Sequence, residues 1–310
     1  MYTLKKDKEG GPSDIYLVDP EGDADVRMEG WNSRDFHIAE RLRRFFIDPA
    51  NQFLSSFLPE VYQCLSDEGK FVCAYLAGLP FDIFDGSQKI CLNTLVHLIL
   101  NRQEREIWYS MAGSETYRVH RLLGRLVAKD ATRFYLKERY DIKVCPVDIT
   151  IDNDQSGKPE ALGPWVSTRL SGTIKLSLAH KEGAAIALIG ESHKMTGIGI
   201  DIEPVRPLRE YFLEGAFTEK ERRLTDRFDK FAEEWLVRMW CAKEATGKAL
   251  GTGIVDSPKE VVVVELDVDN ERINVELSGG RLQQFHQFSG KKLSVATFRK
   301  EEMAIAAVVL

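Results

Sequence analysis

In the stretch GIGIDIEPVRP, residues 197–207, two acids stand one residue apart among β-branched neighbours. A strand sends alternate side chains to opposite faces, so Ile200 and Ile202 point one way and Asp201 and Glu203 the other. Two carboxylates that close repel unless something positive lies between them. A bound cation would serve; an edge strand with one wet face is the plainer reading of a lone D-x-E. Downstream, FAEEWLVRMWCAKEATGKAL sets Trp240, Glu244 and Lys248 four residues apart, hence on one stripe of a helix. Taken alone, that stripe is a Glu–Lys surface pair over a core tryptophan. Taken with the strand, Glu244 is a third carboxylate. Three oxygen ligands with no cysteine and no histidine-rich cluster beside them suit Mg²⁺ or Mn²⁺ rather than zinc. Mg²⁺ keeps waters and shares its shell with substrate phosphate. The pattern therefore predicts a phosphorylated substrate and basic side chains elsewhere to hold it.

Such side chains are present. Lys158 sits in the polar loop SGKPEAL and His180 ends the strand SLAHKEG. Arg102, Arg105, Arg118, Arg121 and Arg125 lie on or between two helical segments, the last three at helical spacing. An acidic chain that keeps arginines on one stripe can build an anion pocket; the alternatives are a solvated helix face and a strand-end histidine satisfied by a local hydrogen bond.

The elements that must position these residues follow from periodicity. The charged start MYTLKKDKEGG is expected to be unstructured, and DIYLVDPEGDADVRMEGW to form a hairpin about its DPEGD turn. HIAERLRRFFIDPANQFLSSFLPEVYQCL is broken into short helices by Pro49 and Pro59, and FVCAYLAGLPFDIFDGS is apolar, then turn-rich. CLNTLVHLILNRQEREIWYSM and ETYRVHRLLGRLVAKDATRFYLKERY read as two amphipathic helices, with Leu122, Leu123, Leu126 and Val127 on one stripe. VCPVDITI is a strand running into a polar loop; TIKLSLAH, GAAIALIG and GIGIDIE are three short strands of hairpin spacing. Thr218 with Glu221 forms a capping box opening the helix FTEKERRL, and Gly251 and Gly253 end the long helix that carries Glu244. EVVVVEL, INVEL, KLSVATF and MAIAAVVL are antiparallel strands. The fold class is α+β, helices packed on mostly antiparallel sheets.

Bulk composition narrows the function. The 310 residues, 44% hydrophobic, can bury one large core or two modest ones. A net charge of −6 argues against nucleic acid as the main partner. The five cysteines, Cys64, Cys73, Cys91, Cys145 and Cys241, are scattered and lack C-x-x-C spacing, as reduced thiols of a cytoplasmic protein would be. There is no apolar run long enough for a membrane helix and no apolar signal core.

Taken in order, these motifs resemble the signature of the Sfp-type 4′-phosphopantetheinyl transferases: Gly199-Ile200-Asp201-Ile202-Glu203, then Trp240-Cys241-Ala242-Lys243-Glu244-Ala245, then Lys248. Gly157-Lys158-Pro159 resembles the family's GKP loop, Ser177-Leu178-Ala179-His180 its S-x-S-H strand end, and HRLLGRL with Gly124 its R-x-L-x-G helix. The resemblance covers roughly residues 90–310. It implies two similar α+β halves related by a pseudo-twofold, here 91–195 and 196–310, each a helix on a mostly antiparallel sheet, with the site at their interface. It implies transfer of the phosphopantetheine arm of coenzyme A to a serine of an acyl carrier protein, with release of adenosine 3′,5′-bisphosphate. Asp201, Glu203 and Glu244 would hold Mg²⁺ on the pyrophosphate and Lys248 would neutralise it and assist the leaving group. His180, Lys158 and an arginine such as Arg121 or Arg105 would hold the 3′-phosphate and adenosine; Lys243 would also face the phosphates. Ala179 stands where many members have serine, so a backbone N–H would replace that hydroxyl beside Ser177. Glu244 or a metal-bound water would serve as base.

Residues 1–90 exceed the family's usual N-terminus. VRMEGWNSRDFHIAERLRRFFIDPANQFLS resembles the tail that follows a dehydratase domain in iterative polyketide synthases. The expectation is a linker ahead of a transferase fused at the end of such a synthase, with the carrier domain in the same polypeptide or a paired chain. The alternative to it is a freestanding transferase with an N-terminal extension. Two alternatives stand beside the transferase reading: a catalytically silent coenzyme-A-binding or structural domain, and a different Mg²⁺-dependent enzyme such as a pyrophosphohydrolase.

Overall fold

The structure is a computed structural model, and it describes residues 3–6, 13–18, 20–21, 23–31, 38–65, 70–79, 89–154, 157–165, 174–191, 195–228, 230–254 and 257–310. The turn-rich stretch expected over 80–88 lies outside them. The chain divides into two compact units, Met1–Ala39 and Glu40–Leu310.

The first unit is a three-stranded antiparallel sheet in the order β1 (Thr3–Lys6), β2 (Ser13–Val18), β3 (Ala24–Trp31). The β2–β3 hairpin is the one expected from the DPEGD turn. β1 was not expected: Leu4 pairs with Leu17, which gives the charged start a partner strand that no local pattern announces.

In the second unit α1 (Glu40–Ile47) stops before Asp48-Pro49, and α2 (Pro59–Gln63) begins on its proline, as the two breakers require. β4 (Ser56–Phe57) and β5 (Lys70–Leu76) follow. The amphipathic run after residue 90 is two helices, α3 (Lys89–Ile99) and α4 (Arg102–Ser110), not one. Asn101 accepts the Glu104 N–H and Glu104 accepts the Asn101 N–H, a capping box that starts a new helix in mid-run. α5 (Glu115–Tyr140) is continuous. β6 (Thr150–Asn153) and β7 (Pro159–Leu162) form a ribbon carrying the Lys158 loop. β8 (Lys175–Lys181) and β9 (Ala184–Glu191) form a tight hairpin whose turn residues Glu182 and Gly183 both have positive φ, 47° and 84°. Then come β10 (Ile198–Pro204), α6 (Glu210–Ala216), α7 (Glu219–Arg222), α8 (Ala232–Leu250), β11 (Val261–Asp267), β12 (Arg272–Leu277), α9 (Gly279–Gln284), β13 (Leu293–Lys300) and β14 (Met303–Val309).

Two antiparallel sheets result, β4-β5-β9-β8 and β10-β14-β13-β12-β11. β10 therefore does not continue the β8–β9 hairpin as its spacing suggested. It pairs with β14, Ile200 opposite Ala307. The sheets face one another through alternate residues: Ile186 and Leu188 of β9 meet Ile200 and Ile202 of β10 and Phe298 and Ile305 beyond. The outer face of the second sheet is covered by Met239, Ala242, Ala245 and Ala249 of α8 against Val263, Val275 and Val308. α5 covers the other sheet with buried Leu122, Leu126 and Val127. The fold is α+β, helix–sheet–sheet–helix.

Candidate functional site

Two glycines bring the site together. Gly197, just before β10, and Gly199 on it lie on the same face as Asp201 and Glu203. A Cβ on Gly199 would lie 1.8 Å from the Ala245 carbonyl oxygen, and one on Gly197 1.9 Å from that of Ala249. α8 thus rests on the bare backbone of β10, and its Glu244–Lys248 stripe comes down beside the two strand acids. The acids stand on an edge strand, as the plain reading allowed, but the face is covered, and Asp201 is 6% exposed.

Lys248 Nζ donates to Asp201 Oδ1 at 2.7 Å and to the Ile200 carbonyl at 3.1 Å. Asp201 Oδ2 is buried and has no hydrogen-bond partner among the described residues. Lys181, at the end of β8, donates to Glu203 at 2.9 Å. Burial, and then the Asp201 and Glu203 charges, push the Glu244 carboxyl above its ordinary value, against the pull of Lys248. Glu203 is raised by burial first, with Asp201 adding and Lys181 opposing. Three carboxylates thus feel one another, and two lysines meet part of their charge. Among the described residues no three His, Cys, Asp or Glu side chains converge closely enough to coordinate one ion. The donor chemistry nonetheless fits a hard divalent cation: every donor is a carboxylate oxygen, and one of them is buried and unsatisfied.

Two clefts adjoin this cluster, and a third borders the first of them at Asn153 and Leu178. The largest, about 490 Å³, runs between the Lys158 loop and the end of α8, with Lys158, Ser177, Lys248 and Gly251 on its walls. A second, about 320 Å³, is bounded by Lys181, Glu203, Phe212, Trp240 and Glu244. A third, about 110 Å³, gathers Arg121, Gly124, Arg125 and His180. Gly124 lies against the imidazole: a Cβ there would make ordinary van der Waals contact, 3.7 Å from His180 Nδ1. The surrounding protein atoms first, then Arg121 and other cations, lower the His180 pKa.

Other expected site residues lie elsewhere. Lys243 does not face the clefts. Its ammonium is fully buried on a different face of α8, 2.6 Å from Glu221 and bonded to the Ala216 and Pro258 carbonyls. The reason is periodicity: the residue before Glu244 on a helix lies about 100° round from it. Ala179 is packed in the core between the sheets. Ser177 uses its hydroxyl to accept the Ile200 N–H at 3.1 Å, tying β8 to β10. Arg105 lies on α4 with its guanidinium on the Leu100 carbonyl and lines none of the three clefts. Arg102 makes a surface pair with Glu106, and Arg118 stacks over Trp108. Lys181 went unnoticed in the sequence, although Ser177, Ala179 and Lys181 alternate onto the face of β8 that meets β10.

Comparison with known proteins bears on the half of the molecule that holds the acids. The profile of the 4′-phosphopantetheinyl transferase superfamily matches residues 197–308. Among solved structures, the holo-(acyl-carrier-protein) synthase of Thermotoga maritima is 25% identical over 37% of this chain and 63% of that one, with a TM-score of 0.27. The chain thus spans less than two thirds of that structure's length. No curated protein matches the chain.

Proposed function

We propose that this chain, a member of the 4′-phosphopantetheinyl transferase superfamily through residues 197–308, moves the 4′-phosphopantetheine arm of coenzyme A onto a serine of an acyl carrier protein. The observation that carries the reading is the juxtaposition of Asp201, Glu203 and Glu244 with Lys248 where β10 meets α8, between two clefts of different character. The larger cleft, with Lys158, Lys175 and Lys248 on its walls, suits the nucleotide diphosphate. The one beneath Trp240 and Phe212 suits the partner that brings the hydroxyl.

Asp201, Glu203 and Glu244 would hold Mg²⁺, or Mn²⁺ in its place, which supplies charge neutralisation on a diphosphate when bound. Phosphoryl transfer asks little covalent chemistry of a protein and much positioning. Lys158 and Lys248 orient the diphosphate from two walls of one cleft, and Arg121, Arg125 and His180 receive the 3′-phosphate. The carrier's serine oxygen forms a bond to the β-phosphorus, and the bond from that phosphorus to the bridging oxygen breaks. Adenosine 3′,5′-bisphosphate leaves. The serine proton passes to a base, for which Glu244, on the wall of the cleft assigned to the carrier, is the candidate. The chain acts in the cytoplasm and in polyketide assembly, its carrier a domain of the same synthase, and the separate unit Met1–Ala39 belongs to the segment that links the transferase to what precedes it. Among the described residues no helix is long and apolar enough to cross a membrane.

The test is incubation with coenzyme A, Mg²⁺ and an apo acyl carrier protein, read by the carrier's intact mass. Gain of one phosphopantetheine, abolished by EDTA or by a carrier Ser→Ala change, is the expected result. Coenzyme A consumed without a carrier would indicate a hydrolase, and coenzyme A bound but never transferred, a silent domain.

A further inference from the structure

One wall of the large cleft is built with more care than a helix end needs. α8 terminates at Gly251, in the left-handed region with φ 83°. The amides of Gly251, Thr252 and Gly253 all turn back onto the Gly247 carbonyl, at 3.1, 3.2 and 3.1 Å. Gly247 permits this: a Cβ there would meet the Gly253 oxygen at 2.6 Å. The Lys158 side chain lies across this turn. A Cβ on Gly251 would fall 1.8 Å from Lys158 Cε and 2.3 Å from its Nζ. Behind the turn stands Arg281 of α9, 4% exposed, whose Nη1 donates at 2.8 Å both to Thr252 Oγ1 and to the Gly253 carbonyl. Arg281 is itself anchored, since Glu260 accepts the backbone N–H of Gly280 at 2.9 Å and of Arg281 at 3.2 Å.

Burying a guanidinium is costly, and it is retained where its hydrogen bonds fix something that would otherwise move. Here it fixes the turn over which Lys158 extends. We propose that Arg281 is a positioning residue for the coenzyme A site: through Thr252 and Gly253 it sets the turn on which Lys158 rests, and so holds that ammonium where the ligand's phosphates lie. Arg281 touches no ligand itself. The inference rests on the transferase reading, and supplies a residue whose motif gave no hint of it.

The experiment is calorimetric titration of the full chain with coenzyme A for wild type, Arg281→Lys, Lys158→Ala and the double variant, with thermal midpoints recorded in parallel. Arg281→Lys keeps the charge and loses the Nη1 donor from which both bonds come. Each single change is expected to weaken binding roughly tenfold, the worth of one charge-assisted contact. The double variant is expected to bind no worse than Lys158→Ala, because a residue that acts through Lys158 has nothing to position once it is gone. In turnover, Arg281→Lys should raise KM for coenzyme A and leave kcat at saturation unchanged. Affinity within twofold of wild type in Arg281→Lys, or losses that add in the double variant, would overturn the inference and leave the transferase reading intact. A wild-type chain that binds no coenzyme A would overturn both. Should Arg281→Lys not fold, Thr252→Ala, which removes one acceptor and keeps the arginine, replaces it with the same expected and contrary outcomes.

Discussion

A carboxylate is informative when its surroundings disfavour it. Among the described residues Asp201 leaves an oxygen buried without a partner, and Glu244 is raised by burial and by two neighbouring acids. Proteins tolerate such arrangements where a ligand relieves them. Glu244→Gln is expected to lower kcat/KM by roughly 10²-fold or more while the far-UV circular dichroism stays native, since the change removes charge and keeps shape; near-normal turnover would remove Glu244 from the proposed site. His180 makes a second prediction. Its folded pKa is held below the ordinary 6.5 by the atoms and cations around it. Its contribution to stability is therefore present above that value and lost as pH falls. A phosphate dianion placed beside it reverses the preference, so coenzyme A binding should take up a proton and tighten as pH falls toward 6. Titrations in two buffers of different ionisation heat would reveal that uptake, and identical heats would contradict it. At this scale the sequence was legible for Asp201, Glu203, Glu244 and Lys248, because period-2 and period-3.6 spacing is fixed by backbone geometry. It misled for Lys243, since motif adjacency is not spatial adjacency on a helix. It was silent for Lys181 and Arg281, whose relevance depends on which strand or turn each meets.

Elements carry the precision of the site. Gly199 lets α8 lie directly on β10, and the carbonyl that would meet a new Cβ belongs to the helix backbone, which cannot swing aside. Gly199→Ala should cost about 1–3 kcal/mol or more in chemical denaturation, and should lower activity further than stability by lifting Glu244 away from Asp201. The other half is held by buried ion pairs. Lys129 of α5, its pKa pushed down to about 8 chiefly by burial, binds Glu104 at 2.6 Å and the Ile99 carbonyl at 2.7 Å, pinning the α3–α4 corner. Arg133 pairs with Asp130 at 2.8 Å, and Asp130 accepts the amides of Leu54 and Ser55. Lys129→Met, which strands Glu104, is expected to destabilise by about 3–5 kcal/mol, measurable as a lowered urea midpoint. Helix existence could be read from hydrophobic period, but the break at Asn101 could not be read from period at all. It lay in the Asn-x-x-Glu capping box, a signal whose strength matches that of the one recognised at Thr218.

At the scale of the whole molecule, the sheets settle what belongs together. β5 lies between β4 and β9, pairing Cys73 with Leu188 across its length. A fragment beginning at residue 40 keeps that sheet complete. One beginning at residue 91 leaves it as the β8–β9 hairpin and exposes Ile186 and Leu188, and it should aggregate on size-exclusion chromatography while the longer fragment elutes as a folded species. The α+β class was legible because helical and strand periods alternate plainly along the chain. The partner of β10 was not, because proximity in sequence favours β9 and nothing local announces a strand a hundred residues away. That long-range pairing has a consequence for synthesis. β10 finds its neighbour in β14, which also lies beside β13. At ordinary translation rates about 5–20 s separate the emergence of the two strands. During that interval the apolar face of β10, Ile198, Ile200 and Ile202, waits outside the ribosome without the strand that pairs with it. The half of the protein that carries the acids is thus completed only after residue 309 has cleared the exit tunnel, and a holding chaperone is most useful to this chain between those two moments.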